Sequence, residues 1–195
     1  METGFDPADR AFFHGGDIKG IHDKLDYIKG LGQNAIWLTP SFVNRPVQGT
    51  GADASAGYHG YWVTDFTQID PHFGTNQELK DLIAAAHEKG MKVYFDIIAN
   101  HTADVIYYEG HEGQNPPYIY KKDTPYKDAS GAAFDPADYA TSDTFPVMDA
   151  ATSFPYKPLI PDGMESAKYP QWLNDPTLYH NRGHDSSWPA GEPAT

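Results

Sequence analysis

The sequence has no cysteine among its 195 residues. That excludes disulfides and thiolate metal sites but leaves the compartment open. No apolar run approaches the ~18 residues of a membrane-spanning helix. With 39% hydrophobic residues and a mean hydropathy of −0.59, the chain reads as globular, and no membrane partner is expected. Basic residues are scarce: 14 Lys and Arg stand against 27 Asp and Glu, a net charge of −13. A surface so acidic repels phosphate backbones, so no nucleic-acid partner is expected. The opening residues METGFDPADR carry neither the basic nor the apolar segment of a signal peptide. No H-E-x-x-H or comparable histidine spacing occurs, so a zinc site is not expected. What is abundant is aromatic surface: 14% of residues, including 13 Tyr and 4 Trp. Flat rings suit the C–H faces of sugars, although core packing uses them equally well.

The chain is organised around Met91–Thr102, M-K-V-Y-F-D-I-I-A-N-H-T. Its β-branched and aromatic content after Gly90 predicts a buried strand over 91–98, with Val93, Phe95 and Ile97 on one face and Tyr94 and Asp96 on the other. A carboxylate inside such a strand is costly to bury without a partner. Polar groups at the C-terminal end of a parallel strand, here Asp96, Asn100 and His101, stand where α/β folds place their sites.

Upstream, Asp17 is a candidate N-cap for a helix over Ile18–Lys29, with an apolar stripe at Ile21, Leu25 and Ile28 and an end at Gly30 and Gly32. Ala35–Leu38 reads as a short strand stopped by Thr39-Pro40. Ser41–Gly74 reads as a long loop. Within it, Gly49–Ala54 fits a relaxed dinucleotide fingerprint formally, but it neither follows a strand directly nor opens a helix, and that reading fails. Thr75-Asn76-Gln77-Glu78 is a capping box opening a helix with Leu79, Leu82, Ile83 and Ala86 on its apolar face, closed by Lys89 and Gly90. Helix, strand, loop, helix, strand predicts a right-handed βαβ unit whose two loops, Tyr58–Trp62 and Ala99–His101, leave the same edge. From Ala99 onward no comparable helix occurs. A stretch that long is a small irregular domain rather than a connection.

D-I-I-A-N-H resembles the first signature region of the α-amylase family, glycoside hydrolase family 13, on the third strand of its (β/α)8 barrel. G-G-D-I-K-G-I-H-D-K-L-D-Y-I-K-G-L-G-Q-N-A-I-W-L-T-P resembles that family's first barrel helix and second strand. Y-H-G-Y-W-V-T-D-F resembles the following loop, and F-G-T-N-Q-E-L-K-D-L-I-A-A-A-H-E-K-G-M-K-V the helix into the third strand. The resemblance implies an α/β fold, a partial TIM (β/α)8 barrel over residues 1–98, with an irregular inserted domain B after the third strand over residues 99–195. By position, Tyr61 is similar to the aromatic that stacks on the sugar at the cleavage subsite, and His101 to the histidine that hydrogen-bonds the same sugar. Asp96 resembles an acidic support residue. Asn100 resembles a residue that in many members ligates a structural calcium, for which an amide oxygen is a suitable hard ligand. Asp135, Asp143 and Asp149 are further ligand candidates by type. His59 and Trp62 flank Tyr61 and are expected to line the cleft.

The resemblance implies a retaining hydrolase acting on α-glucan or maltooligosaccharide, with two carboxylates about 5 Å apart. In the family these follow the fourth and fifth strands, which are expected to lie outside this chain. The chain is therefore expected to be a fragment without catalytic carboxylates, inactive alone. A transglycosylase of the same family and a non-catalytic binding or assembly protein are the alternatives. Location is left open by the residues, and an extracellular one is expected only from the family.

Overall fold

The computed structural model describes residues 4–184. Expectations for residues 185–195 of the second region lie outside the described residues. Two compact units form, one from residues 4–104 with Lys168–Gln171, the other from residues 105–167 with 172–184.

In the first unit, Asp17 is extended and its carboxylate accepts the Gly20 N–H at 2.6 Å, opening α1 (Ile18–Asp23). The single helix expected over 18–29 is interrupted. Lys24 adopts φ −107°, ψ 8°, and its N–H bonds the Ile21 carbonyl three residues back, before α2 (Leu25–Gly30) resumes. The apolar stripe survives the break: Ile18 and Leu25 are buried, and Ile21 and Ile28 pack against the same core.

β1 (Ala35–Leu38) follows as expected. The stretch expected to be a loop is instead largely paired. It holds β2 (Phe42–Asn44), the two-residue β3 (Val47–Gln48) and β4 (Ser55–Ala56), and the seven-residue β5 (Val63–Ile69). β2 and β5 run antiparallel, matching Phe42 to Ile69, Val43 to Asp65 and Asn44 to Val63, with register shifts at both steps. β3 and β4 form a hairpin around Gly49–Ala54.

α3 (Asn76–Glu88) begins at the capping box: the Thr75 Oγ1 accepts the Glu78 N–H at 3.2 Å, and Glu78 Oε2 accepts the Thr75 N–H at 2.8 Å. Leu82 and Ala86 are wholly buried in a core shared with Ile18, Leu25, Leu38, Ile69 and Met91. β6 (Lys92–Phe95) then pairs parallel with β1, Ala35 against Lys92 through Leu38 against Phe95. Two parallel strands joined through α3 make a βαβ unit. Ile36, Leu38, Val93 and Phe95 face the core. The opposite face presents Trp37 and Tyr94, paired in register and 75% and 52% exposed.

The strand expected to reach residue 98 stops at Phe95, because β1 ends at Leu38 and offers one last carbonyl, taken by the Asp96 N–H at 3.0 Å. Asp96 is therefore half-buried just past the strand, and Ile97, expected in the buried strand on the face of Val93 and Phe95, is exposed.

Among its described residues the second unit has two-residue strands, one four-residue α-helix, α4 (Ala150–Ser153), and short 3-10 helices such as Pro136–Tyr139 and Pro176–Leu178. Arg182, 1% exposed, does much of the work a sheet would do. Its Nη1 and Nη2 donate to the carbonyls of Ile119 (3.0 Å) and Thr124 (2.6 Å), its Nε donates to the Tyr126 hydroxyl (3.1 Å), and its guanidinium lies 4.3 Å from the Tyr126 ring centre. A buried charge of this kind persists only when its donors are satisfied. No described helix is long and apolar enough to cross a membrane.

Candidate functional site

Parallel pairing of β1 and β6 brings the segments after Leu38 and Phe95 to one end of the pair. The loop carrying Tyr58–Trp62 is held there by a tight turn. The Gly60 N–H donates to the Gly57 carbonyl at 2.9 Å, and Gly60 adopts φ +82°. A Cβ at residue 60 would lie 2.1 Å from the Pro40 carbonyl oxygen, so only glycine fits.

The Tyr61 N–H donates to His59 Nδ1 at 3.0 Å. The His59 ring stacks on Tyr61 at 5.5 Å and meets Trp62 edge-on at 4.5 Å. Burial pushes the His59 pKa below its usual 6.5, which keeps the ring neutral and Nδ1 available as an acceptor. The Tyr61 carbonyl accepts from His101 Nε2 at 3.0 Å. A carbonyl can only accept, so Nε2 carries the hydrogen, and in that tautomer Nδ1 is the ring's acceptor. The Trp62 N–H donates to Asn44 Oδ1 (2.6 Å), and the Trp62 carbonyl accepts the Arg45 N–H (2.8 Å). The Val63 carbonyl accepts the Ala103 N–H at 2.8 Å, tying the loop to the segment after His101. The backbone N–H and C=O of both Tyr61 and Trp62 are thus all engaged, by the loop's own His59 and by two other stretches of chain, Asn44-Arg45 and His101. Tyr61 stays 42% exposed, and His101 is exposed as well.

Of the residues singled out in the sequence, Tyr61, His59, Trp62 and His101 come together. Asp96 lies just past the end of β6, and Asn100 is exposed. Asp135 and Asp149, in the second unit, spend their carboxylates as helix caps, on the N–H groups of Ala137 and Ala151. Among the described residues no three His, Asp or Glu side chains form a metal cluster.

Two residues without any role in the sequence reading hold the loop. Asn44 and Asp70 are each 2% exposed. Asp70 Oδ2 accepts the Asn44 N–H at 3.0 Å, and its Oδ1 accepts from His72 N (2.9 Å) and His72 Nδ1 (2.6 Å). Asp70-Pro71-His72 has the spacing of an Asx turn, a signal legible in sequence. Nothing comparable marks Asn44.

The family model of the α-amylase catalytic domain matches residues 3–147. An α-amylase of Streptomyces lividans is 58% identical over 196 aligned residues, which cover the whole chain and 21% of that protein. α-Amylase 1 of Schizosaccharomyces pombe is 45% identical over 95 residues, 49% of this chain and 15% of that one. A crystal structure of an α-amylase from Geobacillus thermoleovorans, complexed with acarbose, is 49% identical over 51% of this chain and 20% of that one, with a TM-score of 0.45. The chain belongs to the α-amylase family, and its residues 3–147 match the catalytic domain. It spans about a fifth or less of the length of these relatives.

Proposed function

We propose that residues 58–62 and His101 form one wall of a glucose-binding subsite in a retaining α-glucan hydrolase of the α-amylase type. Tyr61 offers its ring to a pyranose face, and His101 Nδ1 accepts a hydrogen bond from a hydroxyl of the same sugar. His59 and Trp62 line the wall and brace Tyr61. Asp96 supports the strand end beneath. The observation that carries this reading is the hydrogen bond from His101 to the Tyr61 carbonyl, which fixes an exposed aromatic and an exposed histidine as one rigid pair. A platform ordered before binding loses little freedom when the sugar arrives.

The βαβ unit fits a partial (β/α)8 barrel, and the irregular second unit fits a domain B insertion. In this reading the nucleophilic and acid/base carboxylates of retaining hydrolysis are supplied from outside these residues. For a structural calcium, Asn100 offers one amide oxygen of the hard type that ion prefers. The substrate is a starch-type α-glucan or maltooligosaccharide, met outside the cell. The test is Tyr61→Ala and His101→Ala in the full-length protein. Each should lower kcat/KM for a soluble maltooligosaccharide by on the order of ten-fold or more. Unchanged kinetics in both variants would remove the reading.

A further inference from the structure

We infer that Asn44 is a positioning residue for sugar binding, holding Tyr61 and His101 together through the single peptide plane between Tyr61 and Trp62. This rests on the reading that Tyr61 and His101 meet the substrate. The Tyr61 carbonyl and the Trp62 N–H belong to one planar unit and point in opposite directions from it. His101 Nε2 grips the carbonyl end at 3.0 Å, and Asn44 Oδ1 grips the N–H end at 2.6 Å. With both ends held, the plane cannot rotate. With the Asn44 end released, rotation about the adjoining bonds moves the Tyr61 side chain and breaks alignment with His101 at the same time.

Asn44 is built to hold rather than merely to fill space. It is 2% exposed, and its amide orientation is fixed by its surroundings, because Nδ2 donates to the Phe42 carbonyl at 2.7 Å while Oδ1 faces an N–H. A flipped amide would set oxygen against oxygen. Its backbone is fixed in turn by Asp70, whose carboxylate accepts the Asn44 N–H at 3.0 Å and is itself clamped by His72. The next residue continues the grip, the Arg45 N–H donating to the Trp62 carbonyl and the Arg45 Nη1 to the Asp104 carbonyl at 2.7 Å.

The test is a mutant cycle in the full-length protein, read as kcat/KM on a soluble maltooligosaccharide. Asn44→Ala should lower kcat/KM by on the order of ten-fold, since a displacement near 1 Å at a reacting site carries penalties of that size or larger. Placed in a Tyr61→Ala/His101→Ala background, the same substitution should change kcat/KM by less than about two-fold, because the groups it positions are gone. An equal loss in both backgrounds, or no loss in either, overturns the inference. If Tyr61→Ala/His101→Ala itself leaves kcat/KM unchanged, the subsite reading fails and the inference with it. Should Asn44→Ala not fold, Asn44→Asp gives the second test. Its protonated acid reproduces both amide hydrogen bonds, whereas its carboxylate faces the Phe42 carbonyl with no donor. Its kcat/KM relative to the unsubstituted protein should climb toward one as pH falls. A ratio independent of pH would overturn the assignment.

Discussion

Alanine at residue 60 perturbs the loop at its tightest point. The new methyl carbon would sit 2.1 Å from the Pro40 oxygen, where real Cβ contacts below 3.0 Å essentially never occur, so the turn must move by about 1 Å. The left-handed backbone at φ +82° adds strain for any residue with a side chain. Strain of this kind costs about 1–2 kcal/mol and overpacking a further ~1–3 kcal/mol, so Gly60→Ala should destabilise by about 2–5 kcal/mol. Gly90→Ala isolates the first part, because Gly90 also has positive φ (+67°) but open space where a Cβ would stand. It should cost about 1 kcal/mol and leave sugar affinity alone. Chemical denaturation of the full-length variants gives the stabilities, and titration with a maltooligosaccharide gives the affinities. Gly60→Ala should weaken both. A Gly60→Ala protein no less stable than Gly90→Ala, with full affinity, would refute the argument that the Pro40 contact shapes the Tyr61 platform.

Four other outcomes follow from the geometry. Thr75→Ala removes one half of the capping box and should cost about 1 kcal/mol in denaturant unfolding, while Leu82→Ala, at a fully buried core position, should cost about 3 kcal/mol. Burial lowers the His59 pKa below 6.5, so the order it lends the loop is fully present above that pH and is lost as pH falls through the lowered value. Maltooligosaccharide affinity should therefore decline on acidification, and less so in His59→Asn, whose side-chain oxygen replaces Nδ1 as acceptor. Burial also pushes Lys168 down to about 8, against the opposing pull of Asp104. Between about 8 and 10.5 the unfolded chain binds a proton that the folded chain has shed, so stability should rise with pH across that window, and Lys168→Met should abolish that rise.

Features written in local chemistry were legible in the sequence. The Thr75–Glu78 box, the Asp17 cap and the Ala35–Leu38 strand follow from neighbours a few residues apart. β5 escaped because its buried apolar ends, Val63 and Ile69, and the Phe66 between them recur every third residue rather than every second. The register shifts against β2 explain that spacing, since a bulge resets which face a side chain takes. The break at Lys24 was invisible because Ile21, Leu25 and Ile28 keep one stripe across it. The end of β6 depended on its partner, not on its own apolar content. In the candidate site, Tyr61, His59, Trp62 and His101 stand in motifs, whereas Asn44 works through a contact 18 residues away in sequence and carries no local mark.

The proposed subsite makes Tyr61 and His101 two contacts to one glucose unit. The most direct measurement is a crystal structure of the full-length protein with a maltooligosaccharide bound. A pyranose ring should lie against the face of Tyr61, with a hydroxyl of that ring within hydrogen-bonding distance of His101. A sugar bound elsewhere in the cleft, touching neither residue, would contradict it.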